Sequence, residues 1–89
     1  MKHACLEVTY RKGRPVAAYY DLPRRDGDRS ARTQQADGGL LVDFASDGRA
    51  IGIEIPSPSR IDLVVLNGVL ARLGHESVSN QGLGRLVPT

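Results

Sequence analysis

The segment Leu40 to Ile55 constrains this chain most. Two apolar-alternating runs flank Asp47-Gly48, a pair suited to the two positive-φ positions of a type I′ turn, and a two-residue hairpin follows. With Asp47-Gly48 as the loop, Ser46 faces Arg49, Phe44 faces Ile51, Val42 faces Ile53 and Leu40 faces Ile55. The six large apolar residues of the inner pairs then share one face. A slip of one residue would scatter them, so burial specifies the register. The opposite face carries Leu41, Asp43, Gly52 and Glu54.

The same two-residue period recurs at the N-terminus. Leu6, Val8 and Tyr10 alternate with Cys5, Glu7 and Thr9. The turn-forming run Arg11-Lys12-Gly13-Arg14-Pro15 follows, and then Val16, Ala18, Tyr20 and Leu22 alternate in turn. This predicts a first hairpin, ended by Pro23, which has no N–H for a ladder. Arg24 to Arg29 is a charged loop around Asp26-Gly27, and the polar stretch Ser30 to Ala36 is at best a short third strand at a sheet edge. Pro56 and Pro58 break the ladder. Ser59 can then cap a helix over about 60–73, in which Ile61, Val64, Val65, Val69, Leu70 and Leu73 recur at helical spacing and Gly74 marks the stop. The three β-branched residues between Ile61 and Leu66 leave a further hairpin around Asn67-Gly68 open; poor alternation from Leu63 to Val69, and the need to cover the sheet, favour helix. The expected fold is α+β: a four- to five-stranded antiparallel sheet with one C-terminal helix on one face. Residues 1–76 form the domain and 77–89 a loosely ordered tail.

Eighty-nine residues bury only about 60–65% of the surface the unfolded chain exposes, which leaves no room for large multi-substrate clefts. Four aromatic residues and no Trp make the core aliphatic and remove the stacking platforms of single-strand nucleic-acid binders. One cysteine excludes an internal disulfide, and no Cys/His spacing resembles a zinc framework. With no apolar run long enough for a signal peptide or membrane span, a cytoplasmic protein without membrane contact is expected.

The residues from Ala17 to Leu22, a polar connection, and the run Gly39-Leu40-Leu41-Val42-Asp43-Phe44-Ala45-Ser46-Asp47-Gly48-Arg49-Ala50-Ile51-Gly52-Ile53-Glu54-Ile55 resemble DUF2283, a small bacterial family of unknown function. The resemblance covers roughly the first 60 positions. It implies a compact antiparallel sheet and a bacterial source, and it brings no established activity. Some small families of this kind sit beside toxin genes, which suggests an antitoxin-like role as one form of partner binding. Where that family usually has an Asp before its Ala-Leu-Tyr run, this chain has Val16.

Three groups of side chains are candidates for function. If Leu6, Tyr20, Val42 and Ile53 face the helix, then Glu7, Asp21, Asp43 and Glu54 all point away from it. Asp21, Asp43 and Glu54 are thereby weak candidates for a divalent metal in a small metal-dependent hydrolase. A solvated polar face is the commoner outcome. Tyr19 and Leu41 share that face with Asp43 and Glu54, and their apolar surface marks it as an interaction face for self-association, as a dimer, or for another protein. Between Arg11 and Arg32, seven cations stand against three acids, and the rest of the chain carries a net −2. Arg24, Arg25 and Arg29 are the candidate phosphate contacts of a nucleic-acid reading of segment 11–32, blunted by Asp26 and Asp28. His3, Cys5 and Glu7 share a strand face, but its ends lie about 13 Å apart, too far to hold one ion. His75, just past Gly74, can cap the helix. The reading that best fits is a non-enzymatic protein acting by association, with no catalytic residue and no cofactor.

Overall fold

The computed structural model describes residues 5–57 and 63–78. Five strands, β1 (Cys5–Arg11), β2 (Arg14–Asp21), β3 (Arg32–Gln35), β4 (Leu41–Phe44) and β5 (Ala50–Ile55), precede one helix, α1 (Leu63–Arg72). The strands form one antiparallel sheet in the order β1-β2-β5-β4-β3, with β5 at the centre. This is the α+β architecture expected, with the polar β3 at an edge. Ser59 and Ile61, read as the cap and first apolar position of the helix, lie outside the described residues, as do His3 and residues 79–89. No helix among the described residues is long and apolar enough to cross a membrane.

Both hairpins depart from the expected turns. The β4–β5 connection is a three-residue loop, Ser46-Asp47-Gly48: the Ala45 N–H donates to the Arg49 carbonyl (2.8 Å) and the Gly48 N–H to the Ala45 carbonyl (2.9 Å). Only Gly48 has a positive φ, so the turn is not type I′. Asp47 favours this loop by accepting from the Arg49 N–H and binding its guanidinium. Phe44 therefore faces Ala50, not Ile51. Continued unbroken, that register would turn Ile51 to the polar face. A bulge after Asp43 absorbs one residue, and beyond it Asp43 faces Gly52 and Val42 faces Ile53 as the alternation requires. The two-residue turn with both residues at positive φ occurs instead at Lys12-Gly13 (φ 53° and 78°). A second bulge sets Thr9 against Ala17 but Tyr10 against Pro15, leaving Val16 as the extra residue. Val16 and Tyr10, both expected inside, are 43% and 53% exposed, on the part of the hairpin that extends past the end of β5.

The helix-side face carries the core: Ala18, Leu22, Leu40, Val42, Ile53 and Ile55 pack with Leu66, Val69 and Leu70 of α1. Ile51 is fully buried at the margin of this cluster. The helix is rotated from its expected setting. Val64, read as inward, is 79% exposed, and Leu66 takes the buried position. Four consecutive apolar residues from Leu63 to Leu66 contain no signal for which turns outward; the position of the sheet decides it. Gly74 (φ 77°) ends α1 with the Gly74 N–H on the Ala71 carbonyl and the His75 N–H on the Leu70 carbonyl, so the His75 backbone caps the last turn. The chain then folds back along α1, where the Asn67 side chain brackets the Val78 backbone, donating to its carbonyl and accepting from its N–H. At the β3 end the cover is incomplete: a hollow of about 360 Å³ lies between β3 and α1, with Val42, Phe44, Val69 and Leu73 among its lining. Arg32 lies over the Phe44 ring, 4.3 Å from its centroid, and shields it from water.

Leu66→Ala is expected to cost about 2–5 kcal/mol by leaving a cavity between α1 and the sheet, and Val64→Ala within about 0.5 kcal/mol. Urea unfolding midpoints of the two variants test the helix rotation, and the reverse ranking would refute it.

Candidate functional site

The face that α1 leaves open is built from two rows running across all five strands. One row is Gln35, Leu41, Glu54, Tyr19 and Glu7; the other is Thr33, Asp43, Gly52, Asp21 and Cys5. Glu7, Asp21, Asp43 and Glu54 thus share one face, as the alternation predicts, and Tyr19 and Leu41 stand among them. Tyr19, Asp21, Leu41 and Asp43 are partly buried, whereas Glu7, Glu54, Thr33 and Gln35 are exposed.

Gly52 organises this face. A Cβ at Gly52 would lie 2.0 Å from the Tyr19 hydroxyl oxygen, so the ring of Tyr19 rests directly on the central strand. From there its hydroxyl reaches diagonally to β4 and donates to Asp43 Oδ2 (2.8 Å), while the Thr33 hydroxyl donates to Asp43 Oδ1. One carboxylate ties β2, β3 and β4 together over β5. Burial pushes the Tyr19 phenol up to about 12, reinforced by the Asp43 carboxylate and opposed by Arg24. Thr33 and Gly52 were not singled out from the sequence; the alternation that places Asp43 outward also places Gly52 beside it, and a glycine between two carboxylates is the signal that an aromatic ring can use.

The metal candidates do not converge. Asp21 and Asp43 flank Gly52 on opposite strands, about 9.6 Å apart by strand spacing. Asp21 pairs with Arg24 (2.7 Å), both oxygens of Asp43 are engaged, and Glu54 stands in the other row. Among the described residues no group of three or more His, Cys, Asp or Glu is arranged to hold a metal ion, and no buried side-chain nitrogen or oxygen lacks a partner. Nothing in this arrangement is positive for catalysis.

The phosphate candidates separate. Arg24 is drawn inward by Asp21 and by the Ile51 carbonyl (2.9 Å). Arg25 and Arg29 are exposed, on a loop pinned by Asp28. Asp28 accepts the Arg25 N–H and forms a two-point pair with Arg49 (2.8 and 3.0 Å), which also binds Asp47. Arg49 holds both carboxyls below the usual carboxylate range, and they in turn raise the guanidinium. Of the other cations, Arg11, Lys12 and Arg14 sit at the β1–β2 tip, about 20 Å from Arg24 by strand rise, and Arg32 stands on β3 over the Phe44 ring. The cations of segment 11–32 are therefore divided between the two ends of β2 and the β3 edge.

Between Glu7, Tyr19 and Glu54 the open face dips into a hollow of about 280 Å³, lined also by Thr9, Ala17 and Ala18. Comparison with protein families, curated proteins and solved structures finds no match to this chain, so the functional reading rests on this geometry.

Tyr19→Phe is expected to lower stability by about 1–2 kcal/mol, by removing a donor to a partly buried carboxylate. Because the folded phenol titrates above the unfolded one, its contribution is complete below about pH 10 and is lost as pH rises through about 12. Ultraviolet titration checks this: wild type should show a late phenol ionisation that is missing in Tyr19→Phe.

Proposed function

We propose that this protein works by protein association through the open face of its sheet, with no chemistry of its own. The observation that carries the reading is the state of that face. Its centre is prearranged by the Tyr19–Asp43–Thr33 network over Gly52, so a partner meets an already ordered surface. Half-buried Leu41, Tyr19 and Ala17 offer apolar area beside exposed Glu7 and Glu54, a mixture typical of non-obligate interfaces. An antitoxin-like role is one form such association takes. The test places a photo-crosslinking residue at Gln35, on the open face, or at Ala71, on the outer side of α1, in the native host. Protein adducts, with the same chain or another, are expected from Gln35 well above those from Ala71. Equal or absent adducts would contradict the reading.

A second reading has one observation in its favour. From Val8 to Tyr20 there is no carboxylate, and Arg11, Lys12 and Arg14 crown a two-stranded ribbon projecting past β5, which stops opposite Ala18. Such a ribbon suits the phosphates of a nucleic-acid groove. If it binds there, affinity for duplex DNA or RNA should fall steeply with salt and drop further in Arg11→Ala with Arg14→Ala; unchanged mobility of both nucleic acids at low salt would refute it.

A further inference from the structure

We infer that the β1–β2 ribbon enters the major groove of duplex DNA tip first, with Arg11 on one strand and Arg14 on the other each serving the phosphates of one groove wall. The inference rests on the nucleic-acid reading above and names both the nucleic acid and the groove. It leaves the open face free for a protein.

Charge is concentrated at the tip. Arg11, Lys12 and Arg14 are exposed, and the ion pairs among the described residues engage Arg24, Arg49 and Arg72 instead. Arg11 faces Arg14 across the hairpin, with the Lys12-Gly13 turn between them. Like charges set opposite one another destabilise a bare hairpin, and phosphates bound beside them relieve the repulsion. By the strand pairing, Thr9, Ala17, Arg11 and Arg14 lie on the open side of the ribbon and Val8, Ala18, Tyr10 and Pro15 on the other, so neither side carries a carboxylate.

Shape selects among nucleic acids. β5 pairs with β2 only as far as Ala18, and past that residue the paired sheet is two strands wide. Two strands about 4.8 Å apart, with their side chains, fit the ~12 Å major groove of B-form DNA and are too wide for its ~6 Å minor groove. The major groove of an RNA duplex is too narrow for side chains to read. Single strands are held by stacked aromatic rings, and between Thr9 and Ala17 the ribbon has Tyr10 alone.

Length agrees with depth. Val8, opposite Ala18, is three residue steps from Arg11, about 10 Å, against a groove about 8.5 Å deep, so the tip reaches the groove floor before β5 meets the DNA backbone. Glu7 and Glu54 share a row four steps from Arg11, about 13 Å away. They stay above the phosphates, and beyond the ~8 Å screening length of physiological salt from the tip. No Asn, Gln, Asp or Glu lies between Val8 and Tyr20, so the side chains that pair with adenine and cytosine edges are missing. The contact is therefore one of phosphates and groove shape, indifferent to sequence, with a Kd in the non-specific range of about 10⁻⁴–10⁻⁶ M.

The experiment is fluorescence anisotropy of the full chain with a labelled mixed-sequence DNA duplex, the RNA duplex of the same sequence and the single DNA strand, over a range of salt. Wild type is expected to bind the DNA duplex at least tenfold more tightly than either other probe. Three phosphate contacts predict a slope of about −2.7 for log affinity against log salt, and Arg11→Ala and Arg14→Ala should each bring it about 0.9 closer to zero. Methyl green, a major-groove ligand, should displace the protein, and netropsin, a minor-groove ligand, should not. The late Tyr19 ionisation, kept in both variants, shows that they are folded. Equal binding to the DNA and RNA duplexes, or displacement by netropsin alone, would overturn the groove and leave the nucleic-acid reading standing. A salt slope unchanged in both variants would overturn the ribbon as the contact. No binding to any of the three probes at low salt would remove the nucleic-acid reading as well.

Discussion

The two-sidedness of β5 governs this molecule. As the central strand it is paired on both edges, and beyond the bulge its residues divide by face: Ile51, Ile53 and Ile55 are buried at 0–1% exposure, while Gly52 and Glu54 belong to the opposite face. Burying three isoleucines is worth several kcal/mol, far more than any turn or surface ion pair here. Turn chemistry therefore yields to it. The Asp47-Gly48 loop closes in a register one residue off, and a bulge repairs the mismatch at once, because carrying the error onward would have moved Ile51 and Ile53 to the open side.

The same strand prepares the open face. Gly52 leaves a gap between Asp21 and Asp43, and Tyr19 fills it with a ring whose hydroxyl then satisfies Asp43. The carboxylates of this face lie in two rows: Asp21 and Asp43, held by Arg24, Tyr19 and Thr33, and Glu7 and Glu54, which border a hollow also lined by Thr9 and Ala17. Cations are divided likewise. Arg24 and Arg49 serve the fold, binding Asp21, Asp28 and Asp47, and the tip arginines stand at the far end of the sheet.

Much of this was legible in the sequence, for a definite reason. Period-two alternation assigned Val42, Ile53, Ala18 and Leu22 to the core and Glu7, Asp21, Asp43 and Glu54 to the other face, since a buried face penalises every slip. The polar run around Thr33 was readable as an edge, and Gly74 as a helix stop. Bulges were not legible: whether Val16 or Ile51 is the extra residue depends on how two strands meet, and neither strand alone carries that parity. Nor was the inward side of α1, where Leu63 to Leu66 are uniformly apolar. The Asp28–Arg49 pair joins residues 21 apart in the chain, through a loop with no periodic pattern to place it.

Backbone amide shifts across a dilution series, repeated with the protein captured by the Gln35 crosslink where that is another chain, test the central claim most directly, that the open face is where this protein meets protein. Between a few hundred and a few micromolar, amides of Thr9, Ala17, Tyr19, Leu41 and Glu54 should move together along a single binding curve, with those of Val64, Ala71 and Arg72 stationary. Movement confined to α1, or to the hollow between α1 and β3, would contradict it.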